Sequence, residues 1–220
     1  MIKMVVFDMA GTTVDEQNVV YKTLQLAINQ AGFEMSLDEV LQHGAGKEKM
    51  QAIVDILQDK HLEKSELEAI YNQFVLLLDE AYQNLAVLPQ PGAIELFNFL
   101  KERDIKVVLN TGYNQETAEK LLGKLGWLIG GEFDALITAS QVQASRPKPD
   151  MILLAMSQLG IEHGADVAKV GDSIIDIEEG KNAGCGLSIG ITTGAHSYEQ
   201  LQSAQPSFII DSLLELKDLL

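Results

Sequence analysis

Cysteine is almost absent from this 220-residue chain; Cys185 stands alone, which excludes an internal disulfide and a cysteine-built zinc cage. Positive charge is scarce too. Sixteen Lys and Arg face 32 Asp and Glu, a formal charge of −16, and only Arg103 and Arg146 are arginines. Sequence-independent nucleic-acid binding and docking on an anionic membrane both need clustered bases, so neither partner is expected. No apolar run approaches the roughly 20 residues of a spanning helix. The stretch from Met1 to Asp8 is too short and too soon acidic for a signal peptide, so a cytoplasmic location is expected. What remains is 46% hydrophobic and 22% charged, the make-up of a globular protein with one large domain or one domain carrying an insert. The acids form no tail: residues 16–86 hold 12 acids and 5 bases, so the surplus lies on solvated faces and serves solubility.

Short apolar runs rich in β-branched residues predict buried strands at 4–7, 105–109, 135–138, 167–170, 187–191 and 208–210. Helical patterns lie between the later runs. Ala118, Leu121, Leu122 and Leu125 share one face, as do Ile152, Ala155, Met156 and Leu159. This alternation predicts an α/β fold with a parallel sheet and a site at the carboxyl ends of its strands. Between the first two runs the pattern is helical for nearly a hundred residues. One stripe is Val20, Leu24, Ala27, Ile28 and Ala31; another is Leu67, Ile70, Tyr71, Phe74, Leu77 and Leu78. Ser36-Leu37-Asp38-Glu39 is a capping box ahead of His43. A helical insertion over 16–86 in a sheet domain of 1–15 and 87–220 is expected.

The chemistry-bearing residues cluster at strand ends. The first strand runs into Asp8-Met9-Ala10-Gly11-Thr12-Thr13-Val14-Asp15, and the fourth into Gly171-Asp172-Ser173-Ile174-Ile175-Asp176. A lone Asp in such a place often caps a turn or helix. Two carboxylate groups after apolar strands, each beside a glycine, could instead converge on one hard cation.

These segments resemble the four motifs of the haloacid dehalogenase superfamily of hydrolases. Asp8 through Asp15 is similar to the first, Thr111-Gly112 to the second, Arg146-Pro147-Lys148-Pro149 to the third, and Gly171-Asp172 with Asp176 to the fourth. The resemblance implies a Rossmann-like core with a mobile helical cap at 16–86. It also implies Mg²⁺ held by Asp8, the Ala10 carbonyl and Asp172, with Asp176 orienting that set. Asp8 would be the nucleophile and form an aspartyl phosphate. Thr12, Thr111, Gly112 and Arg146 would hold the phosphoryl group.

Three details resemble the phosphonatase branch, the phosphonoacetaldehyde hydrolases: Ala10 where most phosphatases carry an acid, Arg146 as the third-motif base, and Thr111-Gly112-Tyr113. That branch uses a Gly-x-x-Lys segment of the cap to form a Schiff base with the substrate aldehyde. Gly44-Ala45-Gly46-Lys47 matches, which makes Lys47 the expected amine, with His43 and Tyr113 nearby. An iminium would accept the electrons of the breaking C–P bond, so no acid is needed at position 10. The chain departs from that branch at His43, at Met50 where the branch carries His, and at Met9. A phosphate-binding loop around Gly46-Lys47 is excluded, because Leu41 and Glu48 occupy its required Gly and Ser/Thr positions. The implied substrate is a small phosphonate or phosphorylated molecule, and the implied assembly a monomer or homodimer. The competing readings are a phosphatase using Lys47 as an anion clamp, a metal-free dehalogenase, and a non-enzymatic phosphate-binding or regulatory protein.

Overall fold

The computed structural model describes residues 1–220. Strand β1 (Met4–Asp8) is buried throughout. Val5 and Phe7 join one hydrophobic cluster and Met4 and Val6 another, the two-residue alternation of a strand covered on both faces. A short strand, β2 (Val14–Asp15), leads into four helices: α1 (Val19–Gln30), α2 (Leu37–Gly44), α3 (Lys49–Ile56) and α4 (Lys64–Asn84). Strand β3 (Leu88–Pro89) then pairs antiparallel with β2, so both ends of the helical insert leave through one two-stranded tether. Helices and strands alternate from there: α5 (Ala93–Lys101), β4 (Lys106–Thr111), α6 (Gln115–Leu125), β5 (Ala135–Thr138), α7 (Asp150–Leu159), β6 (Val167–Gly171), α8 (Ile174–Asn182), β7 (Leu187–Ile191), α9 (Tyr198–Ser203) and β8 (Phe208–Ile210).

Six strands form one parallel sheet in the order β5-β4-β1-β6-β7-β8, as the α/β reading expects. Three strands run past their apolar stretch: β1 pairs as far as Asp8–Asn110, β4 as far as Thr111–Thr138, and β6 as far as Gly171–Gly190. The ladder uses backbone groups, so it carries polar residues to the strand ends. β1 sits between β4 and β6, where the chain switches from building one side of the sheet to the other. Open α/β sheets place ligands at that crevice.

In the insert, α1 buries Val20, Leu24, Ala27 and Ile28. Ala31, read as part of that stripe, is exposed because the helix stops at Gln30. The buried ridge of α4 is Ile70, Phe74, Leu78 and Tyr82, a straight i+4 row, while Leu67, Tyr71 and Leu77 are half-buried at its edge. Each large apolar side chain so buried stabilises the packing by about 1.5–3 kcal/mol. Helix α2 starts at the expected capping box: the Glu39 amide donates to Ser36 Oγ at 3.2 Å, and the Ser36 amide donates to Glu39 at 2.7 Å.

Candidate active site

Asp8 ends β1 and points its carboxylate at the third-motif arginine. Arg146 Nη1 donates to Asp8 Oδ1 at 2.6 Å, with both side chains buried. The same guanidinium lies 3.1 Å from Asp176 and 3.1 Å from Glu179, and it donates to the Asn110 carbonyl at 2.8 Å. A second base is fully buried behind it: Lys169 Nζ is 2.8 Å from Asp176 and donates to Asn110 Oδ1 at 2.8 Å. Burial opposes charge on Arg146, but the carboxylates of Asp176, Asp8 and Glu179 hold its pKa above the ordinary arginine value. Burial likewise works to raise Asp176, and Arg146 and Lys169 outweigh it, so this carboxyl titrates below its usual range.

Asp172 has no base of its own. Its Oδ2 accepts from the Ala195 amide at 2.6 Å and its Oδ1 from Thr12 at 3.5 Å. Burial, then the charges of Asp8 and Asp176, push its carboxyl well above the usual carboxylate range. Five buried acids, Asp8, Glu16, Asp172, Asp176 and Glu179, thus stand against three buried bases, Lys49, Arg146 and Lys169. A divalent cation fits that surplus. No three His, Cys, Asp or Glu side chains form a ready cage. Two carboxylates with the Ala10 carbonyl are a short, hard donor set of the kind Mg²⁺ accepts while keeping its waters.

The helical insert closes over these strand ends. Its α2–α3 loop packs against the core at Gly46 and Gly112: a Cβ at position 112 would stand 2.7 Å from the Lys47 carbonyl oxygen and 2.9 Å from that of Gly46. Tyr21 of α1 pins the loop, its hydroxyl accepting from the Gly46 amide at 2.8 Å. The loop's two lysines part company here. Lys47 Nζ reaches back along α3 to Asp55 at 2.5 Å and lines an open cleft of about 640 Å³ between insert and core, which Arg146 borders from the other side. Lys49, the first residue of α3, turns inward and is buried. Its ammonium donates to the Lys47 carbonyl at 2.6 Å and lies 5.3 Å and 5.5 Å from the centres of the Tyr21 and Tyr113 rings. Burial pushes this amine down to about 8, against the pull of Asp8 and Glu48.

Lys49 shares a small cavity with Asp8, Ala10, Thr111, Gly112, Tyr113 and Arg146, and Lys47 does not line it. The cavity measures about 10 Å³, room for one water. No organic substrate enters without movement of the insert. Of the other residues expected here, His43 is half-buried on α2 and lines neither this cavity nor the open cleft. Thr12 is buried beside Asp172. Asp15 serves the tether turn, accepting from the Gln17 amide at 3.0 Å.

Comparison with known proteins decides the family. Residues 2–184 match the model of the haloacid dehalogenase-like hydrolases, and a phosphonoacetaldehyde hydrolase of Bacillus cereus is 30% identical over 206 residues, 88% of this chain and 77% of that protein. The chain belongs to the haloacid dehalogenase-like hydrolase family. Another relative of this hydrolase is "Probable phosphatase IndB" of Dickeya dadantii, 30% identical over 219 residues, 97% of this chain and 91% of that protein. Among solved structures, a phosphonoacetaldehyde hydrolase-like protein of Oleispira antarctica has a TM-score of 0.86 at 22% identity, covering 99% of this chain and 91% of that one. At that identity the likeness speaks for the fold.

Sequence reading of this hydrolase missed five buried polar residues, Lys49 first among them. Lys169 had a signal, a charge inside the apolar run Val167-Ala168-Lys169-Val170, where a lysine must be paired. Asn110 and Glu179 had none, because only the fold brings a strand end and the α8 helix together: Asn110 Nδ2 donates to both Glu179 carboxylate oxygens at 3.0 Å. Glu16 was counted among solvated acids and is 1% exposed.

Proposed function

We propose that this hydrolase cleaves the carbon–phosphorus bond of a small phosphonate aldehyde, with phosphonoacetaldehyde the model substrate, and that Lys49 supplies the amine. The observation that carries this reading is the shared cavity: a buried lysine and the strand-end aspartate Asp8 line one space, with Ala10 where an acid catalyst would stand. A lysine amine at about 8 is neutral in about one molecule in ten at pH 7, far more than an ordinary lysine offers. That fraction can attack a carbonyl. Lys47, tied to Asp55 on the outer side of the loop, is left to guide the anionic substrate through the open cleft.

The reaction runs in three parts. Lys49 condenses with the aldehyde and releases water, giving an iminium one carbon from the C–P bond. Asp8 attacks phosphorus; the C–P bond breaks and its electron pair moves into the enamine. Water then hydrolyses the aspartyl phosphate, and the enamine takes a proton and is hydrolysed to acetaldehyde and free Lys49. Arg146, Thr111 and the Gly112 amide hold the phosphoryl oxygens, where preorganised donors act most strongly on transition-state charge. For that, Arg146 turns part of its guanidinium from Asp8 to the substrate. Asp8, the Ala10 carbonyl and Asp172 would hold Mg²⁺, which when bound adds positive charge beside the phosphoryl group. Residues 16–86 act as a cap on the 1–15 and 87–220 core, opening to admit substrate and closing to exclude water.

Reduction with cyanoborohydride in the presence of phosphonoacetaldehyde, followed by peptide mass mapping, tests the reading. A covalent adduct on Lys49 is the expected result. No adduct, together with turnover of a phosphate ester, would replace C–P cleavage by a phosphatase in which Lys49 clamps an anion.

A further inference from the structure

Glu16 is the buried ionisable group that the mechanism above leaves unused. It lies between β2 and α1, at the root of the insert, and is 1% exposed. Its Oε2 accepts from the Val20 amide at 3.0 Å and from the Tyr82 hydroxyl at 3.4 Å. The Tyr82 hydroxyl stands 2.9 Å from the Tyr113 hydroxyl. Tyr113 in turn lines the water-sized cavity with Lys49 and Asp8, its ring facing the Lys49 ammonium. A chain of three polar side chains therefore runs from the root of the insert to the wall of the cavity that Lys49 lines.

Glu16 caps the first turn of α1 through the Val20 amide, where Asn18 makes no side-chain cap bond. Capping does not require burial, and a carboxyl taken out of water is costly. The backbone is also bent to deliver it: Gln17 and Asn18, which follow directly, both adopt left-handed conformations at φ 57° and 56°. Two such residues in succession persist where the surroundings over-determine them. Burial pushes the Glu16 carboxyl up to about 7, against the Val20 amide and the charge of Lys49, so both protonation states are accessible near neutrality. The charged groups acting on Lys49 besides Glu16 are Asp8, Glu48 and Arg146; Tyr21, Tyr82 and Tyr113 are the titratable neighbours of the chain, each raised above its ordinary value by burial. Met50 and Ala52, beside Lys49 on α3, carry no proton.

We propose that Glu16, through the Tyr82 and Tyr113 hydroxyls, is the positioning residue that moves protons to and from the Lys49 site while the imine forms and breaks. The inference rests on the imine reading above. The protonated Lys49 gives one proton through a water in the cavity, Tyr113 and Tyr82 to the Glu16 carboxylate. The neutral amine adds to the aldehyde carbon, and its nitrogen proton shifts to the former carbonyl oxygen, giving a neutral carbinolamine. The proton stored on Glu16 returns along the same chain to that hydroxyl, the C–O bond breaks, and water leaves. The iminium carries the positive charge and Glu16 is again a carboxylate. Hydrolysis of the final imine reverses the sequence.

Cyanoborohydride trapping of phosphonoacetaldehyde on Lys49, followed in time between pH 6 and 9.5, tests this in wild type, Glu16→Gln and Tyr82→Phe. Both variants are expected to form the adduct about 10²-fold more slowly at pH 7, with the deficit shrinking as pH rises and bulk base takes over. Both should still form the fluoride–Mg²⁺ mimic of the aspartyl phosphate, which does not need the amine and which a damaged fold would lose. If Glu16→Gln fails to fold, Tyr82→Phe carries the test alone. Adduct formation at the wild-type rate with an unchanged pH profile overturns the relay and leaves the imine reading standing. Absence of an adduct in wild type overturns both.

Discussion

The Lys49 ammonium donates to the Lys47 carbonyl oxygen at 2.6 Å, and this bond sorts the two lysines of the α2–α3 loop. One charge is held inside and the other, bound to Asp55, stays at the mouth. Their removal should therefore have unequal consequences. Lys49→Ala is expected to lower kcat on phosphonoacetaldehyde by at least about 10²-fold, the scale for losing a group that acts in the transition state. Lys47→Ala should cost less than about fivefold and act through KM, as befits one partly exposed ion pair. Steady-state kinetics of the two variants decide the assignment; equal losses in kcat would return Lys47 to the chemistry.

Gly112 is where the insert meets the core most tightly. A methyl at that position would press on the carbonyls of Lys47 and Gly46, backbone atoms that cannot step aside. Gly112→Ala should hold the insert off the core while leaving the sheet intact. The expected signature is faster amide exchange in the 44–49 loop and a drop in kcat of about tenfold or more, for a stability loss of only about 1–3 kcal/mol. Unchanged exchange in that loop would mean that closure does not depend on this contact.

The sheet was legible because its strands are buried on both faces and therefore read as plain apolar runs. The strand-end acids were legible because a charge directly after such a run has few other reasons to be there. The inward lysine was not. Lys47 and Lys49 stand two residues apart in one loop, and which of them points inward depends on Asp55, two turns along α3, and on rings supplied by α1 and by the β4–α6 connection. Glu16 was hidden for the same kind of reason: its partner Tyr82 lies 66 residues away and reads as one more apolar position on α4. Local patterning reports which face of an element is buried. It does not report which polar groups meet across the fold.

Asp172 is the acid without a basic partner, and a neutral replacement should expose that. Asp172→Asn removes a carboxyl whose ionisation is opposed by burial and by the charges of Asp8 and Asp176, so the metal-free protein is expected to gain a few degrees in Tm. The same change removes a proposed Mg²⁺ ligand. Millimolar Mg²⁺ is expected to raise the Tm of the wild type and not that of the variant, since a ligand stabilises only the state that binds it. Thermal melts with and without Mg²⁺ read both effects. A variant that keeps the full Mg²⁺ increment would place the cation elsewhere.

Glu16 also makes stability depend on pH in a direction opposite to a salt-bridged carboxylate. Its pKa is about 7 in the folded protein against 4.5 for an ordinary Glu. Between those values the folded state binds more protons than the unfolded one, so the residue favours folding least once pH has passed 7. Below about pH 4.5 both states are protonated and Glu16 contributes no pH dependence. As pH rises through the window its carboxyl must either keep a proton from a solvent of falling acidity or carry a buried charge, a cost on the order of 3 kcal/mol when complete. Glu16→Gln can still accept from the Val20 amide and does not ionise. The stability of this variant relative to wild type, measured by denaturant unfolding, is therefore expected to climb between pH 5 and pH 8 and then level off. A difference that stays flat across that range would show that Glu16 titrates as an ordinary glutamate, despite its burial.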